Sequence, residues 1–262
     1  MTEAPTTRAA DAAVSKVPAV TLGFWVIKVA ATTLGETGGD TVSMTLGLGY
    51  LVGTAIFATA LVLLVAAQVS ARRFHPFLYW LTIIASTTAG TTLADFADRS
   101  LGIGYLGGSL SLLACVLISL LVWHRATGTV AVEEVASPRA EIFYWITITF
   151  SQTLGTALGD WVADSGPGFG GGALIFGVAL LVVVALWFAT SLSHVALFWA
   201  AFILTRPLGA TVGDLLDKPV AEGGLAFSRP LATAVLAAFI AVAILVLPQR
   251  PGRHPVGKET MS

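Results

Sequence analysis

Hydrophobic residues run through this chain in eight stretches separated by short polar segments. The stretches cover about 19–42, 45–69, 77–97, 102–123, 142–163, 170–191, 195–216 and 226–247. At a rise of about 1.5 Å per residue, a helix of about 20–25 residues crosses a hydrocarbon core of about 30 Å. The pattern therefore predicts an all-α polytopic membrane protein with eight transmembrane helices.

Polar and special residues recur inside this apolar background. Four times a Trp is followed ten residues later by a Gly and five residues after that by an Asp. The sets are Trp25, Gly35, Asp40; Trp80, Gly90, Asp95; Trp145, Gly155, Asp160; and Trp199, Gly209, Asp214. Each set falls in an odd-numbered stretch, so the repeating unit is one signature helix plus one plainer helix. The repeats span about 19–69, 77–123, 142–191 and 195–247. Two crossings return the chain to its starting side, which makes all four repeats parallel in the membrane. They form a single eight-helix domain over 18–248, flanked by polar tails, 1–17 and 249–262, that are expected to be disordered.

On a helix advancing about 100° per residue, the positions seven, eleven and fifteen after the Trp share one face. The first of these positions carries Thr32, Thr87, Gln152 and Arg206, and the second Glu36, Thr91, Thr156 and Ala210. The third carries Asp40, Asp95, Asp160 and Asp214, so a polar stripe broken only at Ala210 runs down each signature helix. Such a stripe faces protein or water rather than lipid and marks a functional path. The four aspartates are the candidate metal ligands. The other polar members of the stripe are candidates for substrate binding or ion relay. Asp98, Asp164 and Asp217, with Ser43 in the first repeat, follow three or four residues later and are expected at a solvated exit surface.

The small residues beside the stripe have a packing role. Gly35 and Gly39, Gly155 and Gly159, and Gly209 and Gly213 are four apart, and Gly90 pairs with Ala94. This spacing lets helix backbones approach closely. The tryptophans are expected to sit in the interfacial belt, and Lys28 to snorkel toward that same interface. Arg206 is deeper, next to Pro207, and is expected to pair with Glu36 or one of the aspartates.

Composition agrees with this picture. Of 262 residues, 56% are hydrophobic and only 11% charged, where a soluble domain has roughly 25% charged. Nine of the 14 Lys and Arg lie on the side that holds the termini, which places both termini in the cytoplasm. A formal net charge of −1 gives no reason to expect nucleic acid. Cys115 stands alone, and the four histidines fall in loops or tails. The ligand atoms on offer are therefore oxygens, which suit hard cations such as Mg²⁺, Ca²⁺ and Mn²⁺. No phosphate loop, Ser-His-Asp set or metalloprotease motif is present, and an enzyme is not expected. No cofactor is expected beyond a possible bound divalent cation.

The fourfold Trp-Gly-Asp pattern resembles a family of bacterial integral membrane proteins of unknown function, built from four tandem two-helix repeats with a characteristic tryptophan. The resemblance covers about 19–247. It implies the topology and a bacterial origin, hence the cytoplasmic (inner) membrane, and supplies no substrate. The residues themselves favour a transporter for a hard cation, with Mn²⁺ the first candidate. A proton-coupled transporter of a small organic or anionic solute through Arg206 is the alternative, and a non-transport scaffold or sensor the third reading. The expected partners are the lipid bilayer and the cation or solute; the sequence leaves the oligomeric state open.

Overall fold

The computed structural model describes residues 15–252. Among the described residues there are eight α-helices: α1 (Leu22–Asp40), α2 (Gly49–Ser70), α3 (Pro76–Asp95), α4 (Tyr105–Thr127), α5 (Pro138–Asp164), α6 (Gly168–Ala189), α7 (His194–Asp217) and α8 (Arg229–Val246). Their starts follow local chemistry. The Thr21 hydroxyl accepts from the Phe24 N–H, Ser137 from Ala140 and Ser193 from Ala196. Pro76 and Pro138 open their helices where no N–H is needed. After Asp40 and Asp95 the chain continues into a π-helical turn, Thr41–Thr45 and Phe96–Ser100. The next helix is then reached through Gly47 and Gly49, or Gly102 and Gly104. All four have φ between 68 and 80°, a region that other residues rarely enter.

The signature helices form a closed ring in which α1 touches α3, α3 touches α5, α5 touches α7 and α7 returns to α1. The plain helices lie outside it, and each packs mainly on the signature helix of the following repeat. Thus α2 lies on α3, α4 on α5, α6 on α7, and α8 closes the circle on α1. Each repeat clasps the next, so no repeat completes its packing alone.

Burial separates the two sets. In α2, α4, α6 and α8 only 11–22% of the apolar window is buried, against 72% in α3 and 61% in α7. The exposed side chains of the outer helices are large and apolar, among them Leu63, Leu117, Leu181 and Leu245. That is the surface a bilayer requires. Among the described residues, six helices are long and apolar enough to cross a membrane on composition alone. The other two, α1 with Lys28, Glu36 and Asp40 and α5 with charged residues at both ends, are members of the ring like α3 and α7.

Parts of the expected tails are held in place. Ser15 donates to Val132 O, Lys16 pairs with Glu141 at 2.7 Å, and Gly252 N donates to Val17 O. Residues 15–17 and 249–252 of the expected tails are therefore held by contacts with the helical domain and with each other. Residues 1–14 and 253–262, on which the rest of that expectation falls, lie outside the described residues.

Candidate functional site

The ring interior is built in layers, one per turn of the signature helices. At the Trp end the first layer is aromatic. Each Trp is preceded by another aromatic residue, giving the pairs Phe24–Trp25, Tyr79–Trp80, Tyr144–Trp145 and Phe198–Trp199. The first member of each pair meets the Trp of the next repeat. Ring centroids are 5.4 Å apart for Phe24 and Trp80, 5.7 Å for Tyr79 and Trp145, 6.3 Å for Tyr144 and Trp199, and 5.7 Å for Phe198 and Trp25. Eight aromatic rings thus close a circle, and Tyr79 and Tyr144 share a 2.6 Å hydrogen bond within it. This corrects the interfacial reading of the tryptophans. Trp80, Trp145 and Trp199 are buried, because each finds an aromatic partner on the neighbouring helix.

One turn further in are Lys28, Ile83, Ile148 and Phe202, all fully buried. Lys28 does not snorkel. Its ammonium lies 4.1 Å from the centre of the Phe202 ring and 3.4 Å from the Thr205 hydroxyl. Those partners hold it inside the ring.

The third layer holds Thr32, Thr87, Gln152 and Arg206, and the motif glycines make room for it. A Cβ placed on Gly35 would strike Thr87, on Gly90 the backbone and Cβ of Gln152, on Gly155 Arg206, and on Gly209 Thr32. The contact always runs from the Gly of one repeat to the next repeat's residue. The second glycine repeats the rule one turn on, where Gly39 meets Thr91, Gly159 meets Ala210 and Gly213 meets Glu36. These glycines serve close helix approach, the role small residues have in membrane interfaces.

The fourth layer carries Glu36, Thr91, Thr156 and Ala210, and Arg206 reaches into it. Its Nη2 donates to Glu36 Oε2 at 2.9 Å and also to the hydroxyls of Thr91 and Thr156. One guanidinium therefore touches all three other signature helices. Its Nε and Nη1, both amide atoms of Gln152 and the Thr87 hydroxyl have no partner. Thr32 differs, since its hydroxyl is spent on the Lys28, Val29 and Thr205 carbonyls.

The four aspartates form the fifth layer, but not as a symmetric ring of four. Two cations divide them into pairs. Arg99 is 2.8 Å from Asp95 and 3.5 Å from Asp160. Lys218 contacts Asp40 and lies 3.1 Å from Asp214. Burial disfavours charge on Lys218, yet Asp214 and Asp40 outweigh it and hold the ammonium above its ordinary pKa, so it stays protonated. Arg229 adds contacts to Asp217 at 3.5 Å and Asp40 at 3.8 Å. Asp217, expected at a solvated surface, is buried because Arg229 at the start of α8 covers it. Asp98 is half-buried and Asp164 exposed.

Among the described residues, two acidic groups bring one oxygen from each member within 4.8 Å of the others. They are Glu36, Asp40 and Asp95, and Asp40, Asp214 and Asp217. Asp160 belongs to neither. Hard oxygen donors at this separation match the chemistry of Mg²⁺, Ca²⁺ or Mn²⁺. The sequence pattern did not single out the pairing roles of Arg99 and Lys218, because both lie beyond the apolar stretches. Their signal is positional: each stands nineteen residues after its Trp, in repeats two and four.

Outside the ring, an apolar groove of about 610 Å³ runs between α2 and α5, lined by Leu61, Val65 and Trp145. A second of about 450 Å³ lies among α1, α6 and α7, at Trp25, Val184 and Trp187. Both are parts of the apolar outer face.

No curated protein and no solved structure matches the chain. A family model described as a Repeat of Unknown Function (DUF347) matches it four times, over residues 23–74, 78–129, 143–193 and 197–249. Those boundaries coincide with the four two-helix units of the ring, and the chain belongs to the family of proteins built from this repeat.

Proposed function

We propose that this protein is a carrier in the bacterial cytoplasmic membrane that moves a hard divalent cation along the axis of the four-helix ring, with Mn²⁺ the first metal to test and both termini in the cytoplasm. The observation that carries the proposal is the charge of the Asp half of the ring. Six buried carboxylates, Glu36, Asp40, Asp95, Asp160, Asp214 and Asp217, face four cations, Arg99, Arg206, Lys218 and Arg229. A formal surplus of two negative charges inside a membrane is costly, and a divalent cation neutralises it.

The Glu36, Asp40 and Asp95 group is the preferred seat, with the Thr91 and Thr156 hydroxyls beside it. Arg206 supplies the barrier. It occupies the axis one layer closer to the Trp end and shares Glu36 with any cation that binds there. A cation on Glu36 weakens the Arg206–Glu36 pair, and release of that pair is the step that opens the path inward. The path then passes Thr32, Thr87 and Gln152 to the aromatic circle. A pure scaffold role fits less well, because it needs a fully paired stripe, and Gln152 and Arg206 keep unpaired buried atoms.

The test is Mn²⁺ flux into vesicles holding the purified protein. Asp40→Asn with Asp95→Asn is expected to abolish protein-dependent flux. Unchanged flux in that variant overturns the carboxylate path.

A further inference from the structure

We propose that the third layer of the ring is a binding site for a small monovalent anion of the chloride class, held by Arg206, Gln152 and Thr87. The cation seat lies one turn toward the Asp end and uses different atoms, and the anion would sit where the path from that seat passes Thr87 and Gln152.

Three observations converge. First, Gln152 and Thr87 are fully buried with every side-chain polar atom unpartnered, and Arg206 is fully buried with Nε and Nη1 unpartnered. Three residues at one register, on three adjoining helices of a closed ring, rarely leave so many buried polar atoms empty. Second, the vacant atoms are mostly donors. Arg206 offers only N–H groups, Gln152 an amide NH₂ and Thr87 a hydroxyl, against two acceptor oxygens. Third, this layer of the ring carries a guanidinium and no carboxylate. Lys28 is buried one layer below, with its Nζ 3.4 Å from the Thr205 hydroxyl next to Arg206 in the chain. It has no ion pair among the described residues, and Glu36 is the one carboxylate bonded to Arg206. An anion at Arg206 Nε and Nη1 would meet a guanidinium and no carboxylate within its own layer.

The guanidinium thereby serves two neighbours. Nη2 points at Glu36, Thr91 and Thr156, while Nε and Nη1 remain for the anion. Size is limited by the packing of the ring. A Cβ on Gly90 would stand 2.9 Å from Thr153 N and 3.1 Å from Gln152 Cβ, so α3 and α5 are in backbone contact there. A bulky organic anion has no room beside such a contact, which confines the proposal to a small one.

The experiment uses the purified full chain in detergent, with chelator present and no added divalent metal. Thermal unfolding is followed in sodium chloride, bromide or gluconate at constant ionic strength. Chloride and bromide are expected to raise Tm in a saturable way that gluconate does not reproduce. Gln152→Leu is expected to weaken the apparent bromide affinity at least tenfold. In gluconate the same variant should unfold no earlier than the parent, since it deletes an unpaired buried amide. A Tm insensitive to halide, or a halide response that Gln152→Leu leaves intact, overturns the proposal. If that variant does not fold, anomalous scattering from bromide-soaked crystals of the parent decides. A peak at Arg206 Nε and Nη1 supports the site, and ordered water alone there overturns it. Because Mn²⁺ is absent throughout, neither result bears on the cation seat.

Discussion

Arg206 and Ala210 stand one helical turn apart on α7, and the long side chain of the first fills the layer in which the second has only a methyl group. Arg206 Nη2 meets Glu36, Thr91 and Thr156, which are the counterparts of Ala210 in the other three repeats. The break in the fourth polar stripe is thus the space that admits the guanidinium to the axis. The four repeats share the geometry of the ring, and the residues at these two positions of the fourth help make its interior unequal from side to side.

Removal of Arg206 should be felt mainly through Glu36. Arg206→Met leaves a buried carboxylate unpaired, at an expected cost of about 3–5 kcal/mol. Combining it with Glu36→Gln should recover most of that loss. Thermal unfolding of the two single variants and the double variant measures the coupling, and strictly additive losses contradict the pairing.

The glycine rule predicts opposite signs at two positions. Gly155→Ala sets a methyl group against Arg206 and should destabilise by about 1–3 kcal/mol. Gly177→Ala, on the outer helix α6, meets nothing within 4 Å and should be neutral or stabilising by up to about 1 kcal/mol. Tm values of the two variants, measured side by side in one detergent, check the contrast.

The two bridging cations should prove unequal. The Arg99 side chain is 41% exposed and Lys218 only 8%, so water screens the first clasp and not the second. Arg99→Met leaves Asp95 and Asp160 unpaired but beside water and is expected to cost less, about 1–2 kcal/mol. Lys218→Met strands Asp214 and leaves Asp40 only the 3.8 Å contact with Arg229, and should cost about 3–5 kcal/mol. Equal Tm losses would show that the two clasps are equivalent.

Cation binding to carboxylates competes with protons, so Mn²⁺ affinity should fall as pH is lowered and binding should release protons. Calorimetric titrations in buffers of different ionisation enthalpy detect that release. A heat independent of buffer contradicts direct carboxylate ligation.

Much of this architecture is legible in the residues. The spacing of Trp, Gly and Asp gives the repeat, and the helical projection gives the stripe from Thr32 to Asp40 and its three counterparts. The closure of the ring is not legible there, because a short loop after α2 allows it to pack on either α1 or α3. Choosing α3 puts each plain helix on the next repeat, a relation between residues far apart in the chain. The Trp reading failed for the same reason. An indole at a helix end suits a lipid interface equally well until the aromatic residue of the neighbouring repeat, such as Phe24 for Trp80, is brought against it. Arg99 and Lys218 looked like loop residues, and only the fold shows that they divide the aspartates into two pairs.

The most direct test of the cation seat is a titration of the purified protein with Mn²⁺ followed by electron paramagnetic resonance. The parent is expected to bind Mn²⁺ saturably at about one ion per chain, Asp160→Asn to bind nearly as well, and Asp40→Asn with Asp95→Asn to bind at least tenfold more weakly. Absence of saturable binding in the parent, or equal binding in the double variant, would contradict the assignment of Glu36, Asp40 and Asp95 as the cation site.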